Sequence, residues 1–268
     1  MKKYKVIKKI KSSDRFNVYL AKNDQKIKVV IKSVVKLDDK KSIQLLNQEL
    51  DAYKFLSRYN KLGIKFPKLI DYYKKDDRLY IVTEYINGKR LSQTPKDKQL
   101  LCKIKVINML SKSVLIREEI VSSQIRILNT LNIIVSLFYF FIKCSVNNYV
   151  NVFEYSKKYI FCLSNFRNLL TRKIVIVHRD IKNENIILKD SNLYLIDLEQ
   201  VVLSHKEFDF NMLYIREGDR EKEYLRSKYP ERYNKALIYY ICFSYVSSNN
   251  YVNRYYKNYL KILNNKYE

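Results

Sequence analysis

The sequence predicts an α+β protein in two lobes: a small antiparallel sheet carrying one helix, then a mainly helical lobe with an extended helical insertion. Three observations lead there. Residues 1–90 alternate in short strand-like runs, interrupted by one stretch of helical period. Asn87-Gly88 closes that region with a turn signal. From about Lys96 to Arg172 the chain is long, apolar and helical in pattern.

Taken in order, Tyr4 to Ile10 alternates weakly, and Phe16 to Ala21 and Ile27 to Val35 read as strands with Asn23-Asp24 as a turn between them. Over Ser42 to Tyr59 the period changes. Ile43, Leu46, Leu50, Tyr53 and Leu56 recur at three or four residues, the spacing of an amphipathic helix. Phe66 to Tyr73 and Leu79 to Ile86 return to strand character, split by Lys74-Lys75-Asp76-Asp77. The expected order is three strands, a helix, two strands. Three or four helices follow over 96–172, then strands around 174–177 and 186–195, then a tyrosine-rich helical remainder from about Phe208.

Composition bounds the function. The 268 residues are 47% hydrophobic, enough for a core without staples. Cys102, Cys144, Cys162 and Cys242 have neither metal-ligand nor redox spacing, which points to reduced thiols in a cytoplasmic protein. The basic start MKKYKVIKKIKSS has no apolar stretch after it and does not read as a signal peptide. The uncharged run between Arg126 and Lys143 holds 16 residues, several of them polar. That is short of the roughly 20 apolar residues a spanning helix needs, so no membrane span is expected. Net charge is +25, denser in residues 1–90, where 24 Lys and Arg face 10 Asp and Glu. Such a field attracts nucleotides, nucleic acid, acidic proteins or an anionic membrane face, unless it only reflects a lysine-rich composition.

The chemistry-bearing residues lie between the two late strands, in HRDIKNENIIL at 178–188. Asp180, just after a strand, can take a proton from an attacking hydroxyl. Asn185 offers a carbonyl oxygen suited to a hard cation, and Asp197 ends the next apolar run with a carboxylate. Lys182 can neutralise charge on a transferring group. One base, one cation site and one lysine are the parts phosphoryl transfer needs, because its catalysis is mostly positioning and charge stabilisation. Upstream, Lys32 ends the run Val29-Val30-Ile31-Lys32, and Glu49 on the following helix can orient it.

These residues resemble the protein-kinase-like superfamily. HRDIKNEN matches the catalytic-loop pattern H-R-D-x-K-x-x-N, VVIK resembles the strand-lysine motif, LIDLE stands where D-F-G would be, and VTEYINGKRL resembles the hinge. The resemblance implies a bilobal protein-kinase-like fold, with 1–86 as the N-lobe, 87–91 as hinge and 92–268 as the C-lobe. It implies ATP and Mg²⁺ as cofactors and Asp180 as base, with Lys182 steadying the phosphoryl group. Asn185 and Asp197 would bind metal. Lys32 would contact the α- and β-phosphates and pair with Glu49. The carbonyl of Glu84 and the amide of Ile86 would hold adenine, with Thr83 lining the back of that pocket. His178 would support the loop, and Asp209 would brace it.

Lys182 is similar to the Ser/Thr-directed branch, so the leading expectation is a Ser/Thr protein kinase acting on a protein substrate. Other features resemble the aminoglycoside and choline kinases: Glu199 in Asp197-Leu198-Glu199, and some ninety residues between hinge and catalytic loop. These make a small-molecule kinase the alternative. The glycine positions of the phosphate loop fall on Lys11, Ser13 and Phe16, leaving Ser12, Ser13 and Lys11 to serve the phosphates. That departure supports a third reading, an inert pseudokinase or nucleic-acid-associated module. Only eleven residues separate Asp197 from Asp209, too few for a long activation segment, and Arg179 has no evident phosphorylated partner.

Overall fold

The computed structural model describes residues 3–57, 63–113, 125, 160 and 174–232. Five strands, β1 (Tyr4–Ser12), β2 (Phe16–Asn23), β3 (Lys28–Val34), β4 (Leu69–Lys75) and β5 (Arg78–Glu84), form one antiparallel sheet in the order β1-β2-β3-β5-β4. Helix α1 (Lys40–Leu56) falls between β3 and β4, so the expected order of three strands, helix, two strands holds. The protein is α+β, with an antiparallel N-lobe sheet and helices after it.

Local chemistry explains the element ends. The Asp39 carboxylate accepts from the Ser42 amide at 3.1 Å, so α1 starts at Lys40 rather than Ser42. Its buried stripe, Leu46, Glu49, Leu50, Tyr53 and Leu56, keeps the predicted spacing and includes one carboxylate. β4 begins at Leu69 rather than Phe66. Pro67 has no amide for a ladder, and Lys65 pairs elsewhere, exchanging 2.9 Å backbone bonds with Leu193 and Leu195. Asp76-Asp77 closes the β4–β5 hairpin with both residues at positive φ, the conformation that matches strand twist.

The region around residues 174–205 is built from short strands. β6 (Lys89–Arg90) pairs with β8 (Ile186–Lys189), and β8 pairs with β9 (Asn192–Leu195). The single strand expected over 186–195 is therefore a hairpin, turned by Asp190-Ser191, again both at positive φ. β7 (Ile174–Val177) pairs with β10 (Val202–His205), a strand the sequence reading did not anticipate. Helix α2 (Lys96–Leu110) opens the predicted helical stretch, and α3 (Phe208–Arg216) and α4 (Asp219–Lys228) follow β10. Most of the remaining helices expected over 96–172, the 127–142 apolar run, the tail beyond Arg232, and Cys144, Cys162 and Cys242 lie outside the described residues. Cys102 is a free, half-buried thiol. Among the described residues no helix is long and apolar enough to cross a membrane.

The chain divides into two compact units. Met1–Ile127 with Lys173–Met212 form one, which holds the sheet, α1, α2 and the catalytic loop. Leu128–Arg172 with Leu213–Glu268 form the other. In the second, α4 buries Leu225, and the Lys222 ammonium lies 5.7 Å from the Tyr214 ring centre.

The core of the first unit sits on both sides of the sheet. Alternation along β3 sends Val29 and Ile31 to one face, into a cluster with Tyr4, Ala21, Tyr80 and Val82. Val30 and Lys32 take the other face. Just before β6, Gly88 is required by close approach rather than by its φ. A Cβ there would stand 2.5 Å from the Leu188 carbonyl oxygen and 2.6 Å from Ile187 Cγ2, both on β8. Gly88→Ala is therefore expected to lower stability by about 1–3 kcal/mol through overpacking. A urea midpoint within error of the wild type would show that Gly88 does not press on β8 as described.

Candidate active site

Three carboxylates meet one ammonium beneath the sheet. β3 delivers Lys32, α1 delivers Glu49, and the turn after β9 delivers Asp197 and Glu199. Lys32 Nζ lies 2.7 Å from Glu49, 2.6 Å from Asp197 and 3.2 Å from Glu199. The Lys32–Glu49 pair is thus made as the sequence reading expects. Phe16 covers the ammonium with its ring centre 4.6 Å away. Burial alone would pull Lys32 down, but the three carboxylates outweigh it and hold the ammonium well above its ordinary value. Burial likewise would raise Asp197, and Lys32 overrides it, so Asp197 titrates below the usual carboxylate range. Glu49, the most enclosed of the three, carries the cost of burial. Its carboxyl is pushed up to about 7 despite the attraction of Lys32.

The 178–188 loop is held by its backbone. Asp209, at the start of α3, accepts the His178 amide at 2.8 Å and the Arg179 amide at 2.7 Å. Arg179 itself has φ +66, a strained value for a side-chain-bearing residue, and the buried Asp209 carboxylate is what holds it there. The His178 ring accepts the Asp180 amide at Nδ1 (3.3 Å), and its Nε2 lies 3.1 Å from the Ile196 carbonyl oxygen. One ring nitrogen accepts and the other donates, which is the neutral imidazole. Burial moves the ring down to about 4, in keeping with that form. The support expected of His178 is this tie between the catalytic loop and the residue before Asp197. The Arg179 guanidinium lies 5.5 Å from the Phe208 ring centre, so it rests on an aromatic face of α3.

Asp180 faces the same cleft. Its Oδ2 accepts from Lys182 at 2.6 Å and from the Asn185 side-chain amide at 2.9 Å. Asn185 also donates to the Asp180 carbonyl at 3.0 Å. Both its amide hydrogens being directed at Asp180, its carbonyl oxygen is the atom left for another ligand. Asp197 retains one carboxylate oxygen beyond the one on Lys32. Two hard oxygen donors on the cleft wall fit Mg²⁺, which takes a few protein oxygens and keeps water or phosphate as its other ligands. Glu49, Asp197 and Glu199 also bring oxygens within 4.8 Å of one another, and the ammonium of Lys32 lies among them.

The cleft that joins these groups has a volume of about 280 Å³. Ile10, Val18, Val30, Ile81 and Ile196 supply apolar walls, with Thr83 among the lining residues as expected. Lys32, Glu49, Asp180, Lys182, Asn185 and Asp197 all line it. Glu84 and Ile86 stand outside that lining at the end of β5. The Glu84 carboxylate accepts the Lys68 amide at 3.3 Å, and the Ile86 carbonyl accepts the Gly88 amide at 3.1 Å.

The turn between β1 and β2 differs from the expectation that serine hydroxyls serve phosphates. Ser12 Oγ donates to Asn17 at 3.2 Å, and Ser13 Oγ is folded inward, accepting the Phe16 amide at 3.1 Å. Lys11 remains on the cleft wall. The sequence reading passed over Arg15, which also lines the cleft and pairs with Glu199 at 3.3 Å. Its only sequence signal is its place beside Phe16, the third of the missing glycine positions.

No protein-family model matches the chain, and no curated protein does. Solved structures do. Aminoglycoside phosphotransferase APH(4)-Ia superposes with a TM-score of 0.64 at 10% identity, covering 90% of this chain and 84% of that one. The streptomycin–ATP ternary complex of APH(2″)-IIa gives 0.62 at 16% identity, covering 90% and 86%. Macrolide 2′-phosphotransferase MphH from Brachybacterium faecium gives 0.60 at 11% identity, covering 90% and 82%. The likeness is one of fold, and that fold is the protein-kinase-like one the sequence motifs anticipated.

The neutral, buried His178 sets an acid limit on stability. Its unfolded form takes a proton below its ordinary value of 6.5, whereas the folded form resists until about 4. Stability is therefore lost as pH falls from 6.5 towards 4, by about 3 kcal/mol for a difference of this size. His178→Gln, which keeps a donor for Ile196, is expected to flatten that part of a urea-midpoint-against-pH curve. An unchanged slope would mean that His178 is not the group that titrates.

Proposed function

We propose that this chain, built on the protein-kinase-like fold, is an ATP-dependent phosphotransferase that moves the γ-phosphate to a hydroxyl of a small molecule. One observation carries the choice of acceptor. A polypeptide substrate needs an open stretch of chain to lie along, and here the segment after Asp197 is folded away. Leu198, Glu199 and Val201 to His205 are all buried, and Val202–His205 pair with β7 from Ile174 to Val177. Among the similar structures, one holds streptomycin together with ATP, which supports the same reading. The expectation of a Ser/Thr protein kinase rested on Lys182, and these neighbours lend it no support. A nucleic-acid strand would meet as many carboxylates as cations in the cleft, where five of each line the walls.

The chain's own residues divide the work as follows. The apolar walls and Thr83 take the adenine ring. Lys32 binds the α- and β-phosphates and is kept charged and aimed by Glu49. Asn185 and Asp197 would hold Mg²⁺, which when bound neutralises phosphate charge. Asp180 accepts the acceptor's hydroxyl proton as that oxygen attacks the γ-phosphorus and the bond to the β-phosphate oxygen breaks. Lys182, 2.6 Å from Asp180, stands where charge on the transferring group can be balanced.

Transfer from Mg²⁺-ATP should be measured against a panel of hydroxylated amines, sugars and macrolides, with generic proteins in parallel. The expected result is phosphorylation of a small acceptor, with Asp180→Ala slowing it by about 10²–10⁴-fold. Equal turnover by Asp180→Ala would remove the base assignment, and label appearing only on protein would restore the protein-kinase reading. Separately, Lys32→Ala is expected to lose ATP binding measured by calorimetry, since it strips the phosphates of their fixed cation. Retention of wild-type affinity would place the nucleotide elsewhere.

A further inference from the structure

We propose that Arg15 is the phosphate clamp of this protein, parked on Glu199 and transferred to the β,γ-phosphates of a nucleoside triphosphate when one binds. The inference rests on the nucleotide reading above. A glycine-rich loop holds phosphates through free backbone amides. In this chain three of those donors are spent inside the turn. The Ser13 amide donates to the Phe16 carbonyl at 3.0 Å, and the Arg15 and Phe16 amides donate to Ser13 Oγ at 3.4 and 3.1 Å. Ser13 Oγ itself points back at the Phe16 carbonyl, 3.4 Å away. A turn closed in this way offers phosphate its side chains rather than its backbone.

Arg15 is the side chain placed to answer. It lines the same cleft as Lys32 and is the last residue of the β1–β2 turn. Its guanidinium lies 5.4 Å from the centre of the Phe16 ring, and the Lys32 ammonium lies 4.6 Å from the same centre. Glu199 binds both cations, at 3.3 Å through one oxygen and 3.2 Å through the other. An anion replacing Glu199 as their shared partner would therefore meet two cations already arranged about one ring. The two sides of the pair differ in freedom. The Glu199 side chain is 7% exposed and fixed, whereas Arg15 is 45% exposed and tethered only at its tip. A half-exposed pair of this kind is weak, and a triphosphate carries more charge than one carboxylate. The guanidinium fork also fits phosphate oxygens in pairs.

Calorimetry on the full chain with ATP, ADP and AMP tests this, first in EDTA and then with Mg²⁺. Arg15→Ala is expected to weaken ATP by about 10-fold or more, ADP by less and AMP not at all, with Arg15→Lys recovering part of the loss. AMP affinity serves as the control for folding, since a merely structural change would move all three nucleotides together. In EDTA, Glu199→Gln is expected to tighten ATP binding, and adding Arg15→Ala should abolish that gain. A wild-type preference for ATP over AMP in Arg15→Ala would overturn the clamp. A gain that survives in the double variant would trace to Lys32 and overturn the parking. A wild type that binds no nucleotide would instead overturn the phosphotransferase reading and this inference with it.

Discussion

The ammonium of Lys32 is the constraint around which the first unit is organised. A buried cation has to be matched, and here the matching charges come from α1 and from the turn after β9. Removing one partner of such a buried group typically costs about 3–5 kcal/mol, because the others are left uncompensated. The pairing therefore ties β3, α1 and the turn after β9 to one another. The cost appears where burial is deepest, at Glu49, whose carboxyl ionises only against resistance. A second tie works through the backbone. Asp209 satisfies two amides of the catalytic loop, and His178 carries that loop on to Ile196, the residue before Asp197. Asp180, Asn185, Asp197 and Lys32 are thus connected through charges and hydrogen bonds.

Much of this could be read from the residues. The helical spacing over 42–59 located α1, and the position of Glu49 on it gave the partner of Lys32. The spacing of Asp180, Lys182, Asn185 and Asp197 brought together side chains that do line one cleft. What escaped was set by pairing at a distance. The Val202–His205 stretch is apolar enough to be a strand, but it becomes one only because β7 lies beside it. The β8–β9 turn escaped because Asp190-Ser191 reaches positive φ without the glycine that usually announces it. Pro67, which has no amide for a ladder, is the sequence signal that β4 begins after it. Glu199 is legible as a departure from a pattern, whereas Arg15 carries no signal beyond its place beside Phe16. Their meeting across 184 positions is a fact of the fold.

The acceptor side follows the same logic of space. In a chain with few glycines, loops gain their shape from side-chain bonds: Asn23 capping its own turn, Ser13 closing the β1–β2 turn, Asp39 starting α1. The stretch after Asp197 gains its shape by joining a sheet. Each such bond removes a backbone group that a ligand or a peptide could have used. The chemistry is thereby handed to side chains, which explains a cleft crowded with charged groups of both signs.

The β8–β9 hairpin has a consequence for how this site could change over time. Asn185 immediately precedes β8, and Asp197 lies two residues beyond β9. Between them stand two four-residue strands in unbroken register around a two-residue turn, with the Ile196 amide bonded to the Asn185 carbonyl. Side chains alternate faces along a strand, so one inserted or deleted residue would turn half the hairpin inside out. The site can drift by substitution along either strand while the two ligand positions stay in place. It has no such freedom in length, and relatives that keep the chemistry should keep the interval.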